Sequence, residues 1–393
     1  MRGQVRSVPR PGAATALVLA GIVLIAVNLR PGITVVGPLV EEIRTDLGLS
    51  NAGVGLLTTL PVLAFGALAP VAAAVALRIG IERTLGAALV LIGGGTLVRS
   101  AGSAAGALVG TAVLGAGAAA GNVLLPGLVK RDFPERSGEV TSLYVTAMVA
   151  MAGVAPAVAV PLADGAGLGW QGALAIWAVL AGVAMVVWLP QLRERHLPPD
   201  DPARGAPWRS ALAWETTAYM GLQSFLFFGL VAWLPELLRH DGLGASRAGL
   251  MVAVMQFVSI ASAIGVPVLA ARRRNQQVLV AASAATMLAG FVGLLAAGAF
   301  LAPLWAGLLG LAGGSFLSLA LTFLVVRARD AHQTAALSGM VQSGGYLLAA
   351  SGPTAIGALR DLSGGWTLPL LAFIAVTLAA LVSGLAAGRD RLV

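Results

Sequence analysis

The 393-residue sequence contains no cysteine, only three histidines and three tyrosines, and Asp, Glu, Lys and Arg together make up 11% of it. Each scarcity removes a class of chemistry. Without cysteine there is no disulfide framework, no thiol nucleophile and no thiolate metal site. His196, His240 and His332 fall in or near predicted loops, and no paired carboxylates occur inside the apolar stretches. Neither a metal centre nor an acid–base dyad can be assembled from them, and no metal or other cofactor is expected. A glycine-rich phosphate loop followed by Lys-Ser/Thr is also lacking. The 51 glycines are instead spread through apolar runs, where small residues let helices approach closely. These absences argue against an enzyme and against an ATP-driven pump.

What remains is hydrophobic. Apolar residues make up 58% of the chain and the mean hydropathy is +0.89, which defines an all-α integral membrane protein. Twelve apolar segments are predicted, near 13–40, 53–77, 84–101, 104–129, 139–163, 172–190, 211–237, 247–271, 278–299, 304–326, 335–359 and 367–387. Arg2, Arg6 and Arg10 before the first segment resemble the start of a signal peptide. The run that follows is too long for one and contains Arg30, so it reads as a retained first helix.

The formal charge of +8 marks topology. With the N-terminus inside, all 25 basic residues except Arg30, Arg44, Arg99, Arg239, Arg247 and Arg360 fall on one side. Short cytoplasmic loops retain Lys and Arg in this way. The expected location is therefore the bacterial cytoplasmic membrane, with an even number of spans and both termini cytoplasmic. No separate basic domain exists to bind nucleic acid.

The two halves repeat. A shift of 196 residues with no gap pairs Leu47-Gly48-Leu49-Ser50-Asn51-Ala52-Gly53 with Leu243-Gly244-Ala245-Ser246-Arg247-Ala248-Gly249. The same register pairs Arg78 with Arg274, Arg131 with Arg327, Ser142 with Ser338 and Trp170 with Trp366. Two parallel halves of six helices are the pattern of the major facilitator fold, two pseudo-symmetric six-helix bundles. The bundles are expected at 13–192 and 211–388, joined by a cytoplasmic loop over 193–210. In that fold helices 1, 4, 7 and 10 line a central cavity, helices 2, 5, 8 and 11 flank it, and helices 3, 6, 9 and 12 face outward.

Polar residues follow this partition. Asn28, Arg30 and Thr34 lie on helix 1, Asn122 on helix 4, and Tyr219, Gln223 and Ser224 on helix 7. Gln256, Ser259 and Ser262 lie on helix 8, and Ser338, Gln342, Ser343 and Tyr346 on helix 11. The candidate substrate-binding residues are Arg30, Asn28, Thr34, Asn122, Tyr219, Gln223, Gln342 and Tyr346. Helical spacing places Arg30, Thr34 and Gly37 on one stripe, Tyr219, Gln223 and Phe227 on a second, and Ser338, Gln342 and Tyr346 on a third. Asn28 lies about 160° from Arg30 on a regular helix. It is read equally as a ligand contact or as a donor to carbonyls freed by Pro31 and to a neighbouring helix. For Gln223, Gln342 and Asn122 the alternative is helix–helix hydrogen bonding, and for the tyrosines packing.

Arg30 is the most informative residue. It lies roughly 15 Å along the axis from the outer end of the first helix, too deep for snorkelling, and remains protonated there at a cost of about 2.5–3.5 kcal/mol on insertion scales. No mid-helix Asp or Glu neutralises it, since Glu215 is only a few residues into helix 7, beside Trp214. A positively charged cavity selecting a small anion, or a structural arginine bonded to carbonyls, both fit.

Asn28-Leu29-Arg30-Pro31, Val36-Gly37-Pro38-Leu39, Gly121-Asn122, Lys130-Arg131-Asp132-Phe133-Pro134, Gly221-Leu222-Gln223-Ser224, Trp233-Leu234-Pro235 and Gln342-Ser343-Gly344-Gly345-Tyr346 together resemble the cyanate and 2-nitroimidazole porter group (CynX/NimT) of the major facilitator superfamily. The resemblance spans nearly the whole chain. It implies secondary active transport of a small, often anionic or nitro-bearing compound by alternating access, with Arg30, Asn122, Gln223, Gln342 and Tyr346 near it. The expected partners are that small molecule and the bilayer, with protons a candidate coupling ion, Glu215 the candidate coupling residue, and a monomer the expected state. The loop after helix 2 departs from the facilitator pattern. Arg78, Gly80 and Arg83 are the candidate gating residues, but Leu77 stands where an Asp is expected, and Glu82 is the candidate substitute. The Gly-Pro pattern of drug antiporters is poorly matched by Gly153 and Pro156. A multidrug efflux antiporter and a non-transporting sensor are the alternatives.

Overall fold

A computed structural model describes residues 12–49, 51–194 and 207–393. Arg2, Arg6, Arg10, Arg195 and Arg204 of the topology argument, His196, and most of the 193–210 loop lie outside the described residues. Hydrocarbon offers the backbone no hydrogen-bond partner, so a chain this apolar satisfies its peptide groups within helices. Ten helical windows are long and apolar enough to cross a membrane among the described residues. One of them, Gln277–Val326, holds two helices, and a further broken helix follows it, which gives twelve spans.

Span 1 comprises Gly12–Asn28, Pro31–Thr34 and Val36–Leu47, span 2 Asn51–Ile79, span 3 Ile81–Arg99, span 4 Ala104–Asp132, span 5 Ser137–Val160 and span 6 Gly169–Ala175 with Trp177–Trp188. The second half repeats them: span 7 Ala211–His240, span 8 Ala245–Ala271, span 9 Gln277–Ala297, span 10 Ala302–Val326, span 11 Ala331–Ala350 with Gly352–Ser363, and span 12 Thr367–Ala387. Val90 and Leu97 of span 3, Val179 and Val186 of span 6, Val278 and Val292 of span 9, and Leu378 and Val382 of span 12 are exposed, as lipid-facing side chains should be.

Proline shapes span 1. Pro31 has no N–H to donate and its ring opposes continuation from the preceding turn, so the helix stops at Asn28 and restarts at Pro31. Ile33 and Thr34 close the new turn by donating to the Arg30 carbonyl at 2.9 and 3.1 Å.

Two seams join the bundles, span 5 against span 8 and span 11 against span 2, each the image of the other under the repeat. Both are tight toward the end of the molecule that carries the first residues of span 1 and the last residues of span 12. There Gly138 packs on Ala271, and Gly339 on Ala73. Ser142 Oγ donates to the carbonyls of Ala263 and Ile264, and Ser343 Oγ to that of Gly66.

The repeat also reaches the loops at this closed end. Arg131 donates from Nη1 to Glu82 Oε1 at 2.6 Å, while its counterpart Arg327 donates to Gln276 Oε1 and to the Gly388 carbonyl at 2.9 Å. A half-buried guanidinium in the first bundle and a buried one at the equivalent place in the second thus tie each bundle's loop to its fourth span.

Within the first bundle, spans 3 and 4 cross backbone to backbone. A Cβ at Gly110 would lie 2.3 Å from Arg99 N and 2.5 Å from the Gly95 carbonyl, neither of which can swing away. Gly110→Leu is expected to cost about 1–3 kcal/mol or more by overpacking. It should lower the melting temperature in detergent by several degrees, whereas substitution at Gly94, with nothing within 4 Å of a Cβ, should not.

Candidate functional site

The seams diverge toward the opposite end, and a cavity of about 810 Å³ opens between the bundles there. Ile33, Thr34, Gly37 and Pro38 of span 1, Val149 to Pro156 of span 5, Phe227 to Val231 of span 7, Val252 to Phe257 of span 8 and Ala349 to Pro353 of span 11 contribute to its walls. At its inner end a smaller chamber of about 100 Å³ shares Thr34, Phe227, Phe228 and Gln256 with it. Arg30, Gln223, Ser224, Gln256, Ser259 and Tyr346 bring polar atoms to this chamber, and Met255, Met287, Leu309 and Leu317 supply apolar wall.

Arg30 is half-buried. Its Nη2 lies 3.5 Å from Tyr346 Oη, a long contact that nonetheless spans the two bundles, and its guanidinium sits 5.9 Å from the Phe65 ring centroid. The break in span 1 lets the side chain leave the helix at this depth. No Asp, Glu or His is among the residues lining either space. The chamber therefore combines one fixed cation, neutral hydrogen-bonding groups and aromatic surface, an arrangement suited to a small anion or an electron-rich polar group.

The eight candidate binding residues fall into two sets. Arg30, Thr34, Gln223 and Tyr346 line the cavity together. Asn28 points the other way, and its Nδ2 donates to the carbonyls of Leu24 at 2.7 Å and of Leu180 in span 6 at 3.3 Å. Asn122 Nδ2 donates to the Ala118 carbonyl one turn back. Gln342 Nε2 donates across the bundles to the Asn122 carbonyl at 2.7 Å and to Ser338 Oγ at 3.0 Å. Tyr219 is fully buried against Phe316 and Phe323, with ring centroids 5.7 and 5.5 Å away. These four do not border the space in this structure. Gln256, Ser259 and Phe65 do meet the chamber or Arg30, and were not singled out as candidates. The signal for Gln256 and Ser259 was present, since both are polar residues near the middle of a cavity-flanking span.

Arg78 and Arg83 are exposed at the closed end, around Gly80, whose φ of +94° makes the turn between spans 2 and 3. Glu82 is buried, pairs with Arg131 of span 4, and its carbonyl accepts from Trp188 Nε1 at 2.9 Å, both partners in the first bundle. Glu215 lies at the closed end as well, ion-paired with Arg391 at 2.8 Å and away from the cavity lining.

Two repeated six-span bundles around one cavity with a charged floor define a multi-pass membrane transporter. This chain belongs to the Major Facilitator Superfamily, which it matches over residues 22–353. It is 46% identical over 95% of its length to an uncharacterized transporter, YycB, of Bacillus subtilis, covering 94% of that protein. It is 41% identical to the 2-nitroimidazole transporter of Escherichia coli, with 97% of each chain covered, and 29% identical to the cyanate transport protein CynX of the same organism over 88% and 91%. The resemblance to the CynX/NimT group holds on these comparisons. Among solved structures, FucP in the outward conformation superposes with a TM-score of 0.74 at 13% identity, covering 94% of this chain and 97% of that one. The human organic anion transporter MFSD10 superposes with 0.71 at 16% over 95% and 100%. At those identities the likeness concerns the fold.

Proposed function

We propose that this protein is a secondary active transporter that moves a small anionic or nitro-bearing compound by alternating access. The observation that carries the reading is Arg30, a permanent cation at the floor of a cavity whose lining holds no carboxylate. A guanidinium there attracts a planar anion or a nitro group with two parallel hydrogen bonds, and Gln223 and Tyr346 offer further donors from the other bundle. The names of the relatives, a 2-nitroimidazole transporter and a cyanate transport protein, agree with that chemistry. On this reading the seam near Gly138 and Gly339 is the closed gate, and the cavity faces the extracytoplasmic side. Coupling to protons then runs through a weakly acidic substrate that carries its own proton, because Glu215 is held by Arg391 outside the cavity.

The test is thermal stability of the purified protein against cyanate, nitrate, short carboxylates and neutral nitroheterocycles, with lipophilic cations as the opposing set. A ligand that binds only the folded state at about 100 times its Kd stabilises it by about 2.7 kcal/mol. Members of the first set are expected to raise the melting temperature and the cations to leave it unchanged. Stabilisation by bulky cations at similar concentrations would replace this reading with multidrug efflux.

A further inference from the structure

The cavity does not account for every ionised group inside the membrane. Arg99 closes span 3 at the open end, yet it is only 1% exposed and forms no ion pair with a carboxylate among the described residues. Its Nη1 donates to the Gly32 carbonyl, while Nε and Nη2 find no hydrogen-bond partner among the described residues. Burying a guanidinium without a counter-ion is costly in hydrocarbon, so its one bond identifies what it stabilises.

That bond falls on the broken part of span 1. Gly32 lies two residues past Arg30, inside the Pro31–Thr34 turn that stands between the stop at Asn28 and the bend at Val35. The same turn is closed through the Arg30 carbonyl, which accepts from Ile33 N, Thr34 N and, at 3.3 Å, Thr34 Oγ. Fixing the Gly32 carbonyl from span 3 therefore fixes the peptide frame that carries the Arg30 side chain. Glycine makes room for the brace. Gly110 lets the Arg99 backbone lie against span 4, and Gly32 itself sits where a Cβ would meet Leu114 at 3.2 Å.

We propose that Arg99 is a positioning residue for Arg30, holding the Gly32 carbonyl so that the broken turn of span 1 aims the Arg30 guanidinium into the cavity. The proposal rests on the reading of Arg30 as the anion-facing group of the cavity, and its test is arranged to separate the two. Because the chain has no cysteine, a single thiol can be placed in the cavity wall. Gly37 is suited to it, being a lining residue where an added Cβ meets nothing within 4 Å. In Gly37→Cys protein, the rate of modification by an anionic methanethiosulfonate divided by that of a cationic one reads the local potential without any substrate.

Replacing Arg30 with Gln in that background is expected to lower the ratio about fourfold, the effect of one elementary charge roughly 10 Å away in water. Arg99→Met is expected to lower it clearly more in the presence of Arg30 than in the Arg30→Gln background, where only the direct field of Arg99 is lost, and the fall should be largely reversed by Arg99→Lys. If Arg99→Met does not fold, Arg99→Gln, whose neutral amide is too short to reach Gly32, is expected to give the same reduced ratio. A folded Arg99 variant with an unchanged ratio overturns the proposal and leaves Arg99 as a packing residue. An equal fall on Arg99→Met in both backgrounds also overturns it, since Arg99 would then act on the cavity through its own field alone. An unchanged ratio in Arg30→Gln itself is a different result: it removes the cavity reading of Arg30 and with it the basis of the proposed function.

Discussion

Arg30→Gln is expected to weaken binding of the anion that most stabilises the wild-type protein by about 10- to 150-fold, the loss of a charge-assisted hydrogen bond worth roughly 1.5–3 kcal/mol. Glutamine keeps one amide donor at a shorter reach, but it carries no charge, cannot present the paired N–H fork, and loses the attraction to the Phe65 face. Arg30→Lys should fall between the two, because it restores the charge without the fork. The melting temperature of unliganded Arg30→Gln is expected to equal or exceed that of the wild type. A half-buried cation with no carboxylate among the cavity-lining residues is a cost to the fold that removal relieves. The two readouts must therefore separate, with affinity falling and unliganded stability holding or rising. A variant that melts early and still binds normally would make Arg30 a structural residue. Titration calorimetry and melting curves on the same preparations decide the matter.

Arg30 could be found from sequence because depth in hydrocarbon and permanent charge are both readable from residue order. Facing direction was readable only in part, and vertical position relative to the cavity was not. Tyr219, Gln223 and Phe227 share one stripe of span 7, yet Gln223 and Phe227 reach the chamber while Tyr219 is packed between Phe316 and Phe323. Each step of four residues moves about 6 Å along the axis and drifts about 40° around it. Tyr219 is thereby carried one turn toward the closed end and into its own bundle, where a Cβ at Gly384 of span 12 would lie 2.6 Å from its ring. The same holds on span 11, where Tyr346 borders the chamber and Gln342, one turn nearer the closed end, bonds across the bundles to the Asn122 carbonyl. A stripe runs the length of its helix, but the cavity of one conformation opens only half of that length.

The repeat was visible because Arg78 and Arg274, or Arg131 and Arg327, keep their spacing. What those arginines bind was not, since the partners differ between the halves. Arg131 takes a carboxylate from Glu82, whereas Arg327 takes the Gln276 amide oxygen and backbone carbonyls. Arg99 was equally hidden. Its place at the end of a helix suggested the interface with water, and only the close crossing of spans 3 and 4 at Gly95 and Gly110 draws it into the protein.

Gly138→Trp is expected to stop transport while leaving the protein folded, and the reason lies in how the two bundles meet. A Cβ at Gly138 would sit 2.5 Å from Ala271 Cβ and 2.9 Å from the Pro267 carbonyl, so an indole cannot enter the closed seam between spans 5 and 8. In a rigid protein the misfit would be a stability loss of about 1–3 kcal/mol or more. If the bundles rock, the misfit is relieved by parting the seam, and the same energy becomes a change in population of about 5- to 140-fold, at 1.4 kcal/mol per tenfold. The bonds that parting breaks here are neutral ones, Ser142 to the Ala263 and Ile264 carbonyls and Gln342 to the Asn122 carbonyl. These contacts hold no ion pair, and the charge attraction that crosses the bundles at this end, Lys130 with Asp330, is at the half-exposed loops, where separation costs little. The second seam, between spans 2 and 11, is related to the first by the repeat and must part with it, which closes the opposite end of the cavity. A thiol at Gly37, freely placed in the cavity wall of this structure, should then react with an impermeant reagent at least tenfold more slowly in Gly138→Trp than in otherwise unchanged protein. Slow labelling with a near-normal melting temperature is the signature of alternating access. Unchanged labelling with a much lower melting temperature would mean that the seam is a fixed part of the fold, and the proposal of rocking bundles would have to be withdrawn.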